Sequence, residues 1–178
     1  MRVKLLRPGA AAPAARRGGD AGHDLAWCPD PARAARSESA DPRTGYGTVR
    51  EPLDLLDDAG RLVVPAGEVV KVTTGVALDV GASTRSESPR RRAVFGLIKE
   101  RSSLALRGVY SVGGVIDEGY RGEVVVLLRN GGQYDLRIAP GDRVAQLILL
   151  EALRPPVEVV DDLEPSDRGA GGFGSTGR

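Results

Sequence analysis

Cysteine and histidine each occur once in this chain of 178 residues. A single cysteine excludes an internal disulfide framework, and one Cys with one His cannot build a structural zinc site. Long apolar runs are absent as well. The longest, Val124–Leu128, has five residues, whereas a membrane-spanning helix needs about 20. The opening residues, MRVKLLRPG, lack the apolar stretch of a secretory signal, so the expected location is intracellular and cytoplasmic, with no membrane partner. Neither sign of charge is in excess, because 25 basic side chains meet 24 acidic ones for a formal charge of +1. No global field points to a nucleic-acid partner. Any catalysis must rest mainly on carboxylates, hydroxyls, arginines and backbone amides.

What the chain does have is glycine, 24 residues of it, with 12 prolines and many short runs of Val, Ile and Leu. The periodicity predicts strands at Val3–Leu6, Leu62–Val64, Val69–Thr73, Val76–Val80, Ala93–Ile98, Val109–Val112, Gly122–Asn130, Leu136–Ile138, Val144–Leu150 and Val157–Val160. Gly, Pro or Asp bounds most of them, as strand ends require. Asn130-Gly131-Gly132 and Ala139-Pro140-Gly141-Asp142 read as turns. No long segment keeps a 3.6-residue period; the best helical fragments lie around Pro31–Arg36 and Leu53–Asp57. The expected class is all-β: a sandwich, jelly roll or barrel.

Three stretches leave this pattern. Cys28–Asp58 holds four prolines and little apolar patterning, so it reads as a surface insertion of about residues 28–58. It is either a passive loop or a surface for a protein partner. A second polar loop spans residues 81–92, with a local charge of +3. The chain thus divides into a β domain over 1–160 and a flexible, glycine-rich C-terminal arm over 161–178.

Three segments carry chemistry. In Gly113–Asn130, two glycines lead into Val115-Ile116-Asp117 and then a glycine turn. Asp117 there is either a general base on water or the cap of a turn. In Lys99–Arg107, Arg101, Ser102 and Ser103 stand together, suited to phosphate oxygens or to the start of a helix. In Arg168–Arg178, Phe173 lies among glycines beside Arg168, Ser175 and Thr176. Such a segment can close as a lid, with Phe173 stacked on a flat base. It has neither the Lys of a Walker loop nor the strand–helix setting of a dinucleotide fingerprint.

Taken in order, five segments resemble the motifs of trimeric dUTPases. They are Asp20-Ala21-Gly22-His23-Asp24-Leu25, Arg101-Ser102-Ser103-Leu104-Ala105, Gly114 through Glu123, Gly141 through Ile148, and Arg168 through Gly177. The resemblance leaves out the loops at 28–58 and 81–92. It implies a jelly-roll β subunit in a homotrimer, with active sites shared between subunits. It also implies Mg²⁺-dependent hydrolysis of dUTP to dUMP and pyrophosphate, which keeps uracil out of DNA and supplies dUMP for dTMP synthesis.

Residue by residue, the resemblance makes Asp117 the base that directs water at the α-phosphorus. Tyr120 packs under the deoxyribose, and Gly114, Val115 and Ile116 belong to the hairpin that reads uracil. Arg101, Ser102, Ser103 and Gln146 hold phosphates. Asp24 meets a water on Mg²⁺, which keeps waters and takes substrate phosphates as ligands. Arg168, Phe173, Gly174, Ser175 and Thr176 form the closing arm. Glu100 and Ser103 replace the proline and glycine of many members, and His23 an aliphatic or tyrosine; His23 reads as a packing or surface residue and Cys28 as a buried or half-buried thiol of no catalytic importance. The short stretch from Arg101 to Asp117 is similar to that of retrovirus-like members and suits a viral or phage member, acting in host cytoplasm or nucleus.

Two rivals share these features. A dUTPase-like binding or signalling protein would have lost catalysis, yet Asp24, Asp117, Tyr120, Gln146, Arg168 and Phe173 are all present. A dCTP deaminase shares the Arg-Ser-Ser-Leu-Ala segment, but its deaminating glutamate falls on Leu127 here and its following arginine on Leu106. The expected outcome is pyrophosphate from dUTP and no ammonia from dCTP. Ammonia release in a coupled assay would reverse the assignment.

Overall fold

The computed structural model describes residues 1–31, 55–81, 92–167 and 169. Most of both surface loops lies outside them, as do Arg168, Phe173, Gly174, Ser175 and Thr176.

Among the described residues ten strands run in the order β1 (Arg2–Leu5), β2 (Gly22–Ala26), β3 (Leu62–Val64), β4 (Val69–Asp79), β5 (Arg92–Lys99), β6 (Val109–Ser111), β7 (Val115–Ile116), β8 (Glu123–Asn130), β9 (Leu136–Ile138) and β10 (Arg143–Leu153). A four-residue helix, α1 (Ser102–Ala105), follows β5. The strands form two four-stranded sheets, β1-β4-β8-β6 and β2-β10-β5-β7, and a β3-β9 ribbon. Every pairing is antiparallel. The class is all-β, as the periodicity predicts.

Alternation explains the packing. Along β8 the residues Val124, Val126, Leu128 and Asn130 are buried while their neighbours are only half-buried, the period-2 pattern of a strand with one inward face. One buried cluster draws on all three sheets: Leu25, Ile98 and Leu147, then Val72 and Val126, then Leu62 and Ile138. At roughly 1.5–3 kcal/mol for each large apolar side chain removed from water, this cluster is the main favourable term.

Asn130 ties the ribbon to the first sheet. Its side chain is fully buried, and Nδ2 donates to the carbonyls of Val64 (2.8 Å) and Tyr134 (2.9 Å), while Oδ1 accepts the Gly132 amide (3.0 Å). A polar group in the core is tolerated because each valence is met.

The structure corrects several expectations. β4 is one strand rather than two. Its register shifts between Thr73 and Ala77, and the hydroxyls of Thr73 and Thr74 donate to the carbonyls of Cys28 and Val124. A Cβ on Gly75 would stand 2.7 Å from Ala10 Cβ, so the bulge closes only on glycine. Gly22–Ala26 is a strand that the pattern did not reveal, because consecutive His23 and Asp24 interrupt the apolar alternation on both of its faces. Val157–Val160 is not a strand in this chain: no sheet neighbour pairs with it among the described residues, and Val157 and Val159 are more than nine-tenths exposed. Among the described residues the last strand ends at Leu153.

The insertion is also shorter than 28–58. Cys28 is buried, Leu55 joins the core, Leu56 bridges to Leu62, and Asp57 closes a turn onto the amide and guanidinium of Arg61. Those contacts make 55–58 part of the packed domain; Leu53 and Asp54 of the expected helical fragment lie outside the described residues, and Leu56 already belongs to a β-bridge.

Replacing Asn130 with leucine should destabilise the fold by about 2–3 kcal/mol, because two carbonyls and one amide lose a buried partner. Chemical denaturation checks this. A loss under about 0.5 kcal/mol would mean that water replaces those bonds.

Candidate active site

β10 is the central positioning element. Gln146 lies opposite Asp24 of β2 on one side and Lys99 of β5 on the other. That register lines up Asp24, Gln146 and the chain leaving β5 for α1. The result is a cleft of about 330 Å³ lined by Arg16, Asp20, Ala21, Gly22, Asp24, Arg101, Ser102, Gln146 and Ile148.

Asp24 holds the charge pattern of this cleft. Its Oδ1 accepts Arg101 Nε at 3.1 Å, its Oδ2 accepts Arg143 Nη1 at 2.9 Å, and Arg16 Nε approaches Oδ2 at 3.5 Å. Arg101 also donates to the Arg143 carbonyl at 3.4 Å. Arg101, not a serine, is the N-cap of α1, with extended backbone and no side-chain cap bond. Ser102 and Ser103 occupy the first helical positions, where amides lack intrahelical acceptors, and both are exposed. Hydroxyls, free amides and guanidinium groups thus converge as anion recognition needs.

Gln146 Nε2 donates to the Glu100 carbonyl at 3.1 Å. Its Oε1 lies over Gly22, where a Cβ would collide with it. Any larger residue at 22 would push this amide out of the cleft.

The hairpin with Asp117 forms a different cleft, of about 800 Å³, lined by Ala93, Phe95, Val115, Asp117, Glu118, Gly119, Arg121, Ala152 and Arg154. Gly114 has φ of +96°, and a Cβ there would stand 2.9 Å from Ile98 Cβ, so only glycine fits this close approach. The Gly114 carbonyl accepts the Ile98 amide at 2.8 Å, which fixes the hairpin to β5. Ile116 points into the core, while Val115 and Asp117 face outward. Tyr120 is held by its hydroxyl, which donates to the Glu123 carbonyl at 2.8 Å, with Gly122 leaving space beside the ring.

The chain therefore does not bring all the expected residues together. Asp24, Arg101, Ser102 and Gln146 share one cleft, while Val115 and Asp117 line the other. β10 and β5 lie between β2 and β7, which sets them about 14 Å apart at ordinary strand spacing. Ile116 pairs with Gly96, three residues along β5 from Lys99, a further offset of about 10 Å. Asp24 and Asp117 of one chain stand roughly 17 Å apart by this geometry.

Sequence reasoning gave no role to Arg143 or Arg16. Arg143 lies inside the fourth motif, and its alternation beside buried Val144 was a usable signal. Arg16 precedes the first motif and had none. His23 is half-buried opposite Leu147, and Cys28 is buried, both as expected.

The dUTPase family profile matches residues 56–177. A deoxyuridine 5'-triphosphate nucleotidohydrolase of Paramecium bursaria Chlorella virus 1 is 44% identical over 117 residues, 65% of this chain and 76% of that protein. One from Anaeromyxobacter sp. (strain Fw109-5) is 42% identical over 129 residues, 71% of this chain and 80% of that protein. Among solved structures, the dUTPase of Staphylococcus bacteriophage 80alpha with dUPNHPP has a TM-score of 0.70 at 22% identity, covering 99% of this chain and 98% of that one. The chain belongs to the dUTPase family. The profile match starts beyond the first motif, so the β2–β10 register is what attaches Asp24 to the rest of the site.

Glu100 links the two halves. Its carboxylate accepts the Ser111 hydroxyl at 3.3 Å and pairs with Lys99 at 3.1 Å, while its carbonyl holds Gln146. Its own backbone amide, then Lys99, keep its carboxyl below the ordinary 4.5, against a smaller opposing effect of burial. The folded state favours the ionised form, so this stabilisation is complete above about pH 4.5 and fades as pH falls through the lower folded value. Glu100→Gln should lower the melting temperature at neutral pH and flatten its decline below pH 4.5. Parallel wild-type and variant profiles of melting temperature against pH would contradict this.

Proposed function

We propose that the chain hydrolyses dUTP to dUMP and pyrophosphate in a homotrimer whose active sites each combine parts of different subunits. The observation that carries the reading is the separation of the two clefts. A base and a phosphate-binding set that line separate clefts cannot serve one α-phosphorus within a chain. A neighbouring subunit presenting its Asp117 hairpin to the Arg101–Gln146 cleft supplies the missing half. Leu153 at the end of β10 and Val157, Val159 and Leu163 beyond it expose apolar surface, which subunit contacts would cover. The two antiparallel sheets are consistent with jelly-roll closure of a β domain over 1–160, followed by the arm at 161–178.

In this site Arg101 and the Ser102 and Ser103 amides and hydroxyls bind the phosphates, with Gln146 beside them. Asp117, exposed at the end of β7, takes a proton from the attacking water while the guanidinium groups offset developing charge. Gly114, Val115 and Ile116 read uracil along the hairpin edge. Tyr120, seated by Gly122 and the Glu123 carbonyl, closes the sugar pocket against a 2′-OH. Arg168, Phe173, Gly174, Ser175 and Thr176 cover the bound nucleotide.

The residues fit a Mg²⁺ that arrives on the substrate. Among the described residues no group of three His, Cys, Asp or Glu side chains could hold an ion by itself, and Asp24 presents one carboxylate at the cleft. Mg²⁺ bound to phosphates and water needs no more, with Asp24 accepting from a bound water. The ion would neutralise phosphate charge. The deaminase reading is disfavoured because Leu127 and Leu106 offer no ionisable group.

Asp117→Asn and Arg101→Ala should each cut turnover at least about 100-fold. Refolded together in equal amounts, they should regain about a quarter of wild-type turnover, because mixed assemblies join an intact hairpin to an intact cleft. No recovery would reject shared sites, and normal turnover by Asp117→Asn alone would reject the base.

A further inference from the structure

We infer that Arg16, outside all five motifs, is a further substrate-binding residue that grips the outer phosphates of the nucleotide. The inference rests on the phosphate cleft proposed above and adds a residue to it. The cleft is lined by Arg16 and Arg101 against Asp20 and Asp24, and Arg143, from behind the lining, adds a third guanidinium to Asp24. Asp20 is partly occupied, because its Oδ2 accepts the Arg17 amide at 3.0 Å. Three guanidinium groups thus share the single carboxylate of Asp24, and the most loosely held of them, Arg16, is the one open to a polyanion.

The three arginines are not equivalent. Arg101 and Arg143 hold Asp24 at 3.1 and 2.9 Å and are largely buried, with side-chain exposures of 25% and 30%. Arg16 is 66% exposed and meets the same carboxylate at 3.5 Å. Two tight pairs fix Asp24 in place, whereas Arg16 is held loosely at the mouth. It sits on the turn between Ala14, whose carbonyl accepts the Asp24 amide, and Asp20, whose amide donates to the Arg17 carbonyl. Its base is therefore anchored while its guanidinium can leave Asp24 at little cost. A planar guanidinium is well matched to the bidentate demands of phosphate oxygens. From the Asp24 side of the cleft it reaches phosphates distal to the nucleoside.

The test measures equilibrium binding with the full chain and Mg²⁺, using dUPNHPP and dUMP as probes. Arg16→Ala should weaken dUPNHPP about tenfold, the range of one charge-assisted bond, and leave dUMP affinity unchanged. Arg16→Lys should restore only part of the loss, because an ammonium keeps the charge but not the bidentate geometry. Arg101→Ala is the reference and should weaken dUPNHPP at least as much. If Arg101→Ala weakens binding and Arg16→Ala does not, the Arg16 inference fails while the cleft stands. If neither changes it, the cleft reading fails with it. An equal loss for dUMP would also overturn the inference, because it would indicate a general distortion of the first motif.

Discussion

The register of β10 governs this molecule. Eleven residues long, the strand pairs with β2 along one edge and β5 along the other. Each pairing places a motif residue at a fixed position: Asp24 against Gln146, and Gln146 against the end of β5 that becomes α1. The bulge between Arg143 and Ala145 buries both Val144 and Ala145, and it leaves the Arg143 head free to reach Asp24. A slip of one residue would exchange the faces of the whole strand, sending Leu147 outward and Gln146 inward. Core and Asp24 cleft are therefore specified together, and neither can form in a different register.

Charge is handled in two ways. Near the chain start, Arg7 is half-buried among the carbonyls of Cys28 and Pro29 and the carboxylates of Asp30 and Glu123. Burial works against its charge, but Glu123 by hydrogen bond and attraction, with Asp30 and Cys28, more than compensates and raises its pKa. Glu123 also accepts the Gly75 amide, so one carboxylate joins the first loop, the β4 bulge and the start of β8. That arrangement is closed, with each charge answered by its surroundings. The Asp24 cleft is the open counterpart, crowding guanidinium groups that a substrate would relieve. Preorganised positive charge of this kind carries its repulsion in the folded state and recovers it on binding.

Most strands were legible because each buries one face with Val, Ile or Leu at alternate positions, as Val124, Val126 and Leu128 do. Gly22–Ala26 escaped because a strand that lends a carboxylate to a cleft lacks that alternation. The opposite error at Val157–Val160 has the same root: alternation marks a strand able to pair, and only a partner makes it one. The motif residues were readable as types, since serines, arginine and carboxylates at those spacings suit phosphates. Their division between two clefts was not readable, because it follows from which strands lie between β2 and β7. Arg143 and Arg16 were missed because an arginine among 25 basic residues has no signature until its carboxylate partner is located.

The single cysteine has a practical use. Cys28 Sγ lies 3.8 Å from the carbonyls of Pro8 and Pro29 and 2% of the residue is exposed, at the meeting point of the first loop, the end of β2 and the β4 bulge. A sealed thiol reacts with alkylating reagents only when its surroundings part. The rate at which Cys28 is labelled is thus a built-in clock for the opening of that junction, readable by mass spectrometry with no engineered probe.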